Sequence, residues 1–77
     1  EEFTLIMPNT TIGNGFQVVD NLRKLIQNTR FKQIGHKTCS VGITFFKDGD
    51  VIESIVARAD EALYEAKETG RNKVVVK

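Results

Sequence analysis

Two stretches of the chain repeat apolar residues at three- and four-residue steps, the spacing that places side chains on one face of an α-helix. The first covers residues 11–28 and the second residues 51–69. The apolar positions of the first stretch are Ile12, Phe16, Val19, Leu22 and Ile26. Those of the second are Ile52, Ile55, Val56, Ala59, Leu63 and Ala66. The pattern therefore predicts two amphipathic helices, each with one face in the core.

Residues at the boundaries support both helices. Asn9, Thr10 and Thr11 are N-cap candidates for the first helix. For the second helix we predict Asp50 as the N-cap, with Glu53 completing a capping box. Glycine commonly follows the last helical turn with a positive φ, which predicts that role for the residue at position 70.

Three segments rich in β-branched and aromatic residues predict strands at residues 3–7, 37–46 and 73–77. Pro8 closes the first strand, because proline cannot donate to a central ladder. Residues 47–50 form a turn signal before the second helix. The order β-α-β-α-β places the chain in the α/β class.

Length, net charge and cysteine count exclude several classes of function. The chain has 77 residues, enough for one small domain with a limited core. Its net charge of +1 argues against bulk nucleic-acid binding, which needs a strongly basic surface. No apolar run is long enough to span a membrane. Cys39 is the only cysteine, so neither an intrachain disulfide nor a cysteine metal cluster can form. We expect Cys39 in the core and a cytoplasmic location.

Two cations stand four residues apart at the end of the second helix, Lys67 and Arg71. On one exposed helix end they can grip a phosphate group. The alternative is structural, because cations near a helix C-terminus complement its macrodipole by about 0.3–1 kcal/mol each. Glu1 and Glu2 have two interpretations as well. They are either solvated carboxylates or functional-site residues that precede an apolar strand.

Three further polar residues favour structural roles. Asn72 is predicted to stabilise the turn after Gly70, since Asn side chains readily bond nearby backbone. Tyr64 is predicted to pack with its hydroxyl at the surface, and His36 to be a solvated residue before a strand.

Three motifs together resemble a known family. Glu1-Glu2-Phe3 is similar to the last three letters of a Gly-Gly-(Asp/Glu)-Glu-Phe hairpin, and Ser40-Val41-Gly42-Ile43 to a Ser-(Val/Ile)-Gly strand. Residues 59–72 match the long signature Ala-Asp-x-Ala-Leu-Tyr-x-Ala-Lys-x-x-Gly-Arg-Asn at every specified position. The chain resembles the C-terminal half of a GGDEF domain, the catalytic domain of diguanylate cyclases.

The resemblance implies a ferredoxin-like, polymerase-palm-like α+β fold. It also implies that residues 1–77 are the C-terminal part of a single GGDEF domain whose N-terminal half is missing. In that topology an absent strand would lie between the strands of residues 3–7 and 37–46. We therefore expect these two strands to lack their partner, and the isolated chain to dimerise, repack or be unstable.

The resemblance further implies an activity. Family members condense two GTP into cyclic di-GMP and pyrophosphate by metal-assisted nucleotidyl transfer, with two divalent metals, usually Mg²⁺. Each domain of a homodimer holds one GTP. By position in the motifs, Glu1 is a metal ligand and Glu2 supports the metal or nucleotide site. Lys67 and Arg71 contact the triphosphate, and Phe3 packs inward. Glu1, Lys67 and Arg71 form the implied catalytic set.

Several parts of that machinery lie outside this sequence: the two hairpin glycines, an Asp on the first strand, and the Asn and Asp that recognise guanine. The chain alone is therefore expected to be inactive. One alternative is a degenerate GGDEF domain that binds GTP or acts as a regulatory interaction module. A third hypothesis is an unrelated small βαβ module that assembles through apolar strand edges. Two glycines before Glu1 and an Asp on the first strand would favour catalysis.

Overall fold

The computed structural model describes residues 1–7, 12–31 and 35–77. Its elements are β1 (Glu2–Met7), α1 (Ile12–Asn28), β2 (Arg30–Phe31), β3 (Gly35–His36), β4 (Ser40–Phe45), α2 (Ile52–Glu68) and β5 (Val74–Val76). This order confirms the predicted α/β class. The short antiparallel pair β2–β3, with Arg30 opposite His36, was not predicted. His36 is exposed as expected, but it lies within a strand.

The main sheet is parallel, with the strand order β1-β4-β5. β1 and β4 pair directly, from Glu2 opposite Ser40 to Met7 opposite Phe45. The expectation that these two strands would lack a partner is therefore wrong for this structure. Each strand supplies the donors and acceptors that the other would otherwise leave unpaired.

β4 is the central strand, and all six of its residues are buried. Successive side chains of a strand point to opposite faces of the sheet. Val41 lies on the α1 face, where it packs with Val19 in the core cluster. Thr44 lies on the α2 face, where its hydroxyl accepts a hydrogen bond from Arg58 Nε at 2.6 Å. The two helices thus cover opposite faces of the sheet.

α2 approaches the sheet closely at Gly42. A Cβ atom built at Gly42 would lie 2.2 Å from the backbone nitrogen of Leu63 and 2.6 Å from the carbonyl oxygen of Ala59. Backbone atoms cannot move aside as a flexible side chain does, so only glycine fits. The Gly of the Ser-Val-Gly motif is therefore explained by helix–sheet packing.

The predicted apolar faces are only partly buried. Val19 is buried, whereas Leu22 of α1 and Ile52 of α2 are 53% and 78% exposed. Phe16 and Val56 are also exposed. The buried residues of α2 are the small ones, Ala59, Ala62 and Ala66. Small side chains let the helix lie close to the sheet, and this narrow contact leaves the larger residues at its margins in solvent.

Phe3 is predicted to pack inward, and its side chain is only partly buried. Phe3 lines an apolar cavity of about 120 Å³ between β1 and α1, beside Leu5, Leu22 and Ile26. It nevertheless remains 46% exposed, because the outer side of the edge strand β1 is not covered by the described residues.

The start of α2 differs from the prediction. The N-cap is Val51, so the assignment of Asp50 as N-cap is wrong by one residue. The Ser54 hydroxyl accepts the Val51 N–H at 3.0 Å, the role predicted for Glu53. Ser54 takes this role because moving the cap by one residue moves the reciprocal position by one as well. The cap candidates of α1, Asn9–Thr11, lie outside the described residues.

Asp50 instead joins the 47–50 turn to α2. Its carboxylate accepts the Lys47 N–H at 2.8 Å and the Ser54 hydroxyl at 2.9 Å. It also forms an ion pair with Arg58 at 2.6 Å. The hydrogen bond from Arg58 is the main cause that holds the pKa of Asp50 far below its ordinary value.

Two other predictions have clear outcomes. Cys39 is buried and unbonded, and burial raises the pKa of its thiol, which confirms a core residue. The packing predicted for Tyr64 is wrong, since the side chain is 65% exposed on the outer side of α2. Within the described residues, no helix has the length and apolar character needed to cross a membrane.

Candidate functional site

Three of the four residues singled out by sequence meet at the edge where the parallel strands begin. Lys67 Nζ donates a hydrogen bond to Glu2 Oε1 at 3.2 Å. Arg71 Nη1 lies 3.8 Å from the other carboxylate oxygen of Glu2. We call Glu2, Lys67 and Arg71 the Glu2 cluster. Both oxygens of one carboxylate therefore face a cation.

The fold explains why residues from the two ends of the chain meet. β4 and β5 are parallel, so the connection through α2 must return to the edge where both strands begin. The C-terminus of α2, with Lys67, therefore reaches that edge. Glu2 stands opposite Ser40 at the same edge, and even-numbered residues of these strands face α2.

The Glu2 cluster is accessible to solvent. The Glu2 and Arg71 side chains are about half exposed, and that of Lys67 is 30% exposed. Exposed ion pairs contribute only about 0–1 kcal/mol to stability. An anionic ligand can therefore displace Glu2 from the two cations at little energetic cost. Lys67 and Arg71 are therefore both accessible to an anionic ligand.

Glu1 does not join this cluster. Its carboxylate lies 3.2 Å from Lys37 Nζ, and the hydrogen bond from Lys37 lowers the pKa of Glu1. Its carbonyl oxygen accepts the Ser40 N–H at 3.0 Å. Adjacent side chains of an extended chain point to opposite sides, so Glu1 and Glu2 face different cations.

The carboxylates of Glu1 and Glu2 have the donor chemistry that Mg²⁺ takes, since this cation prefers oxygen ligands. Both side chains are also exposed enough to reach a cation. Across residues 1–7, 12–31 and 35–77, however, no three His, Cys, Asp or Glu side chains converge. The donor type therefore fits a divalent metal, and this chain supplies only part of a coordination shell.

Arg71 lies on a turn with an unusual backbone. Gly70, Arg71 and Asn72 have φ values of +122°, +61° and +46°. Left-handed backbone at a residue other than glycine costs about 1–2 kcal/mol. The Arg71 N–H donates to the carbonyl of Ala66 at 2.9 Å, which closes α2 and confirms the role predicted for Gly70. We call these three residues the 70–72 turn.

Asn72 stabilises this turn, as predicted, but through partners distant in sequence. Its N–H donates to Ser40 Oγ at 3.2 Å. Its side-chain oxygen and its carbonyl oxygen accept hydrogen bonds from Arg23 Nη1 at 2.9 and 3.2 Å. The side chain therefore bonds a residue of α1 instead of nearby backbone.

Arg23 does not stand out in the sequence pattern, because an Arg in an amphipathic helix normally lies on the solvent face. In the structure its side chain is only 13% exposed. The one local signal is Asp20, three residues earlier, whose carboxylate lies 2.8 Å from Arg23 Nε. That hydrogen bond is the main cause that lowers the pKa of Asp20.

Comparison with known proteins gives consistent matches. A family model described as "Diguanylate cyclase, GGDEF domain" matches residues 1–73. The chain is 39% identical over 79 residues to diguanylate cyclase DgcP of Pseudomonas aeruginosa, covering 99% of the chain and 12% of that protein. It is 37% identical to diguanylate cyclase VdcA of Vibrio cholerae, covering 97% of the chain and 24% of that protein.

A third relative is the response regulator PleD of Caulobacter vibrioides, 34% identical over 83 residues, which covers all of the chain and 18% of PleD. The chain thus spans between an eighth and a quarter of the length of these relatives. No solved structure matches it.

Proposed function

Because the chain belongs to the GGDEF family, we propose that it is the C-terminal part of a diguanylate cyclase domain, called here the intact domain. The intact domain condenses two GTP into cyclic di-GMP and pyrophosphate. The observation that carries this proposal is the Glu2 cluster. In it the acidic fourth letter of the hairpin motif lies against the two cations of the C-terminal signature.

Negative charge builds up on the leaving pyrophosphate during the reaction, and Lys67 and Arg71 of the Glu2 cluster supply positive charge next to it. The 3′-hydroxyl of one GTP attacks the α-phosphate of the other, and pyrophosphate leaves. Lys67 provides a flexible point charge, whereas Arg71 provides a planar fork that matches two phosphate oxygens. Together they neutralise the triphosphate and the leaving pyrophosphate.

Glu1 is the residue of this chain that would hold divalent metal, which we propose to be Mg²⁺. Glu2, whose side chain points to the opposite side of the extended chain, would support the metal or nucleotide site. A bound metal of this kind supplies Lewis-acid stabilisation of phosphate charge. Glu2 is the carboxylate partner of both Lys67 and Arg71 in this structure. Displacement of Glu2 by the triphosphate would leave both cations to bind phosphate oxygens.

Assembly is part of the proposal. Each intact domain binds one GTP, so catalysis requires a homodimer that brings two GTP molecules face to face. Residues 1–77 alone are proposed to be inactive, because the hairpin glycines and the first-strand Asp are not among them.

The test replaces the two cations in the intact domain. Lys67→Ala and Arg71→Ala are each expected to lower kcat/KM for GTP about ten- to a hundredfold, since a hydrogen bond to a charged group contributes about 1.5–3 kcal/mol. Matched controls are Lys47→Ala and Arg30→Ala, which remove exposed cations away from the cluster. Unchanged kcat/KM in both cluster variants would refute the assignment.

A further inference from the structure

We propose that Arg23 is a positioning residue that holds the 70–72 turn, and through it Arg71, in the conformation that meets phosphate. This inference rests on the proposed function of Arg71. Arg23 lies on α1, a helix that carries none of the residues singled out by the motifs. Its contribution to the site is made entirely through Asn72.

The contacts from Arg23 fix both the main chain and the side chain of Asn72. One guanidinium nitrogen, Nη1, donates to the carbonyl oxygen of Asn72 at 3.2 Å and to Oδ1 at 2.9 Å. Ser40 Oγ accepts the Asn72 N–H at 3.2 Å from the other side. Asn72 is therefore held by α1 and by β4 at once, immediately after Arg71.

The turn needs such support because its backbone is strained. Arg71 and Asn72 both have left-handed φ values, and neither is glycine. Without a constraint these residues relax toward negative φ, and that rotation moves the Arg71 side chain away from Glu2. Within the described residues, the polar contacts of Arg23 go to Asp20, Gln27 and Asn72, so it acts through the turn and not on the ligand.

Arg23 is itself fixed. Its Nε lies 2.8 Å from the Asp20 carboxylate, and its Nη1 donates to Gln27 at 3.3 Å. Nε thus has its partner on α1, whereas Nη1 is shared between Gln27 of α1 and Asn72 of the turn. A planar fork can do this with less loss of freedom than a lysine ammonium. Burial of the side chain shields these bonds from water.

A double-mutant cycle in the intact domain tests the inference. GTP turnover is measured for Arg23→Ala, Arg71→Ala and the double variant, with Arg30→Ala as the matched exposed arginine. Arg23→Ala is expected to lower kcat/KM about tenfold, because small displacements of a binding group have large kinetic effects. When Arg71 is already alanine, Arg23→Ala is expected to lower kcat/KM less than about twofold. If Arg23 acts only through Arg71, the two substitutions are not additive.

The outcomes separate the two proposals. If Arg71→Ala lowers kcat/KM but Arg23→Ala does not, or if the two losses multiply, the positioning role is refuted while the proposed function stands. If Arg71→Ala has no effect, the proposed function fails and the positioning role fails with it. Should Arg23→Ala not fold, Asn72→Ala removes the Oδ1 acceptor. It must then show the same loss and the same non-additivity with Arg71→Ala.

Discussion

The carboxylate of Glu2 lies 3.2 Å from the ammonium of Lys67, although 65 positions separate the two residues in sequence. Parallel strand pairing and the return of α2 bring them to one edge of the sheet. Both side chains are partly exposed, so the pair adds little to stability. This is why we propose the contact as a place where a ligand exchanges with a side chain.

Replacing Glu2 separates its functional from its structural contribution. In the intact domain, Glu2→Gln is expected to lower the rate of cyclic di-GMP formation about ten- to a hundredfold, the usual range for residues that support a metal or its ligands. The free energy of unfolding is expected to change by less than about 1 kcal/mol. Product formation and urea unfolding are measured on the same preparation. Glu65→Gln, an exposed carboxylate of α2, is the control.

A large loss of stability in Glu2→Gln with unchanged turnover would reverse this interpretation. Glu2 would then be a structural partner of Lys67 and Arg71, and the macrodipole explanation of the two cations would suffice.

Two glycine substitutions test the close approach of α2 to the sheet. Gly42→Ala is expected to destabilise the intact domain by about 3 kcal/mol or more, because its Cβ would collide with backbone atoms of Leu63 and Ala59. Gly13→Ala, in α1, has no atom within 4 Å of the new Cβ. It is expected to stabilise by up to about 1 kcal/mol, since alanine favours helix. Urea unfolding measures the free energy of unfolding of both variants. Equal changes in the two variants would contradict the close approach of α2 to Gly42.

A second glycine pair tests whether the 70–72 turn matters to the site. Gly70 and Gly49 both have positive φ, +122° and +87°, and neither position is crowded. Gly70→Ala and Gly49→Ala are each expected to destabilise by about 1 kcal/mol through backbone strain. Only Gly70→Ala is expected to raise KM for GTP, because Arg71 follows it directly. If both variants raise KM equally, strain alone and not the position of the turn accounts for the effect.

The Asp50–Arg58 pair predicts a pH dependence of stability. The folded-state pKa of Asp50 lies far below its ordinary value of 3.8. The carboxylate therefore stabilises the fold fully above about pH 4, and this contribution is lost as the pH falls toward the folded-state pKa. Asp50→Asn is expected to lower the urea midpoint at pH 7 and to differ less from the parent protein at pH 3. Asp48→Asn, in the same turn but exposed, is the control. A difference that is constant between pH 7 and pH 3 would contradict the role of the charge.

The helices could be predicted from sequence because their signal is local. Periodic apolar residues place α1 and α2 within one residue of the observed ends, where those ends are described. Which of these residues are buried could not be predicted, because burial depends on the partner surface. Ile52 has the helical spacing of a core residue, yet the narrow alanine contact of α2 leaves it in solvent.

Long-range relationships were the part that sequence could not supply. The direct pairing of β1 with β4 depends on which strand edges are available, and no local pattern encodes that. The bond from Arg23 to Asn72 spans 49 positions. By contrast, motifs at opposite ends of the chain point to Glu2, Lys67 and Arg71, and the structure brings these three side chains together.

Product formation by the intact domain decides whether it is a diguanylate cyclase. The purified domain is incubated with GTP and Mg²⁺, and the products are identified by mass, beside a Lys67→Ala, Arg71→Ala double variant. Cyclic di-GMP and pyrophosphate are expected from the parent protein, with at least about a hundredfold less from the double variant. Bound GTP without cyclic di-GMP would contradict this expectation, and would identify the domain as a nucleotide-binding regulatory module.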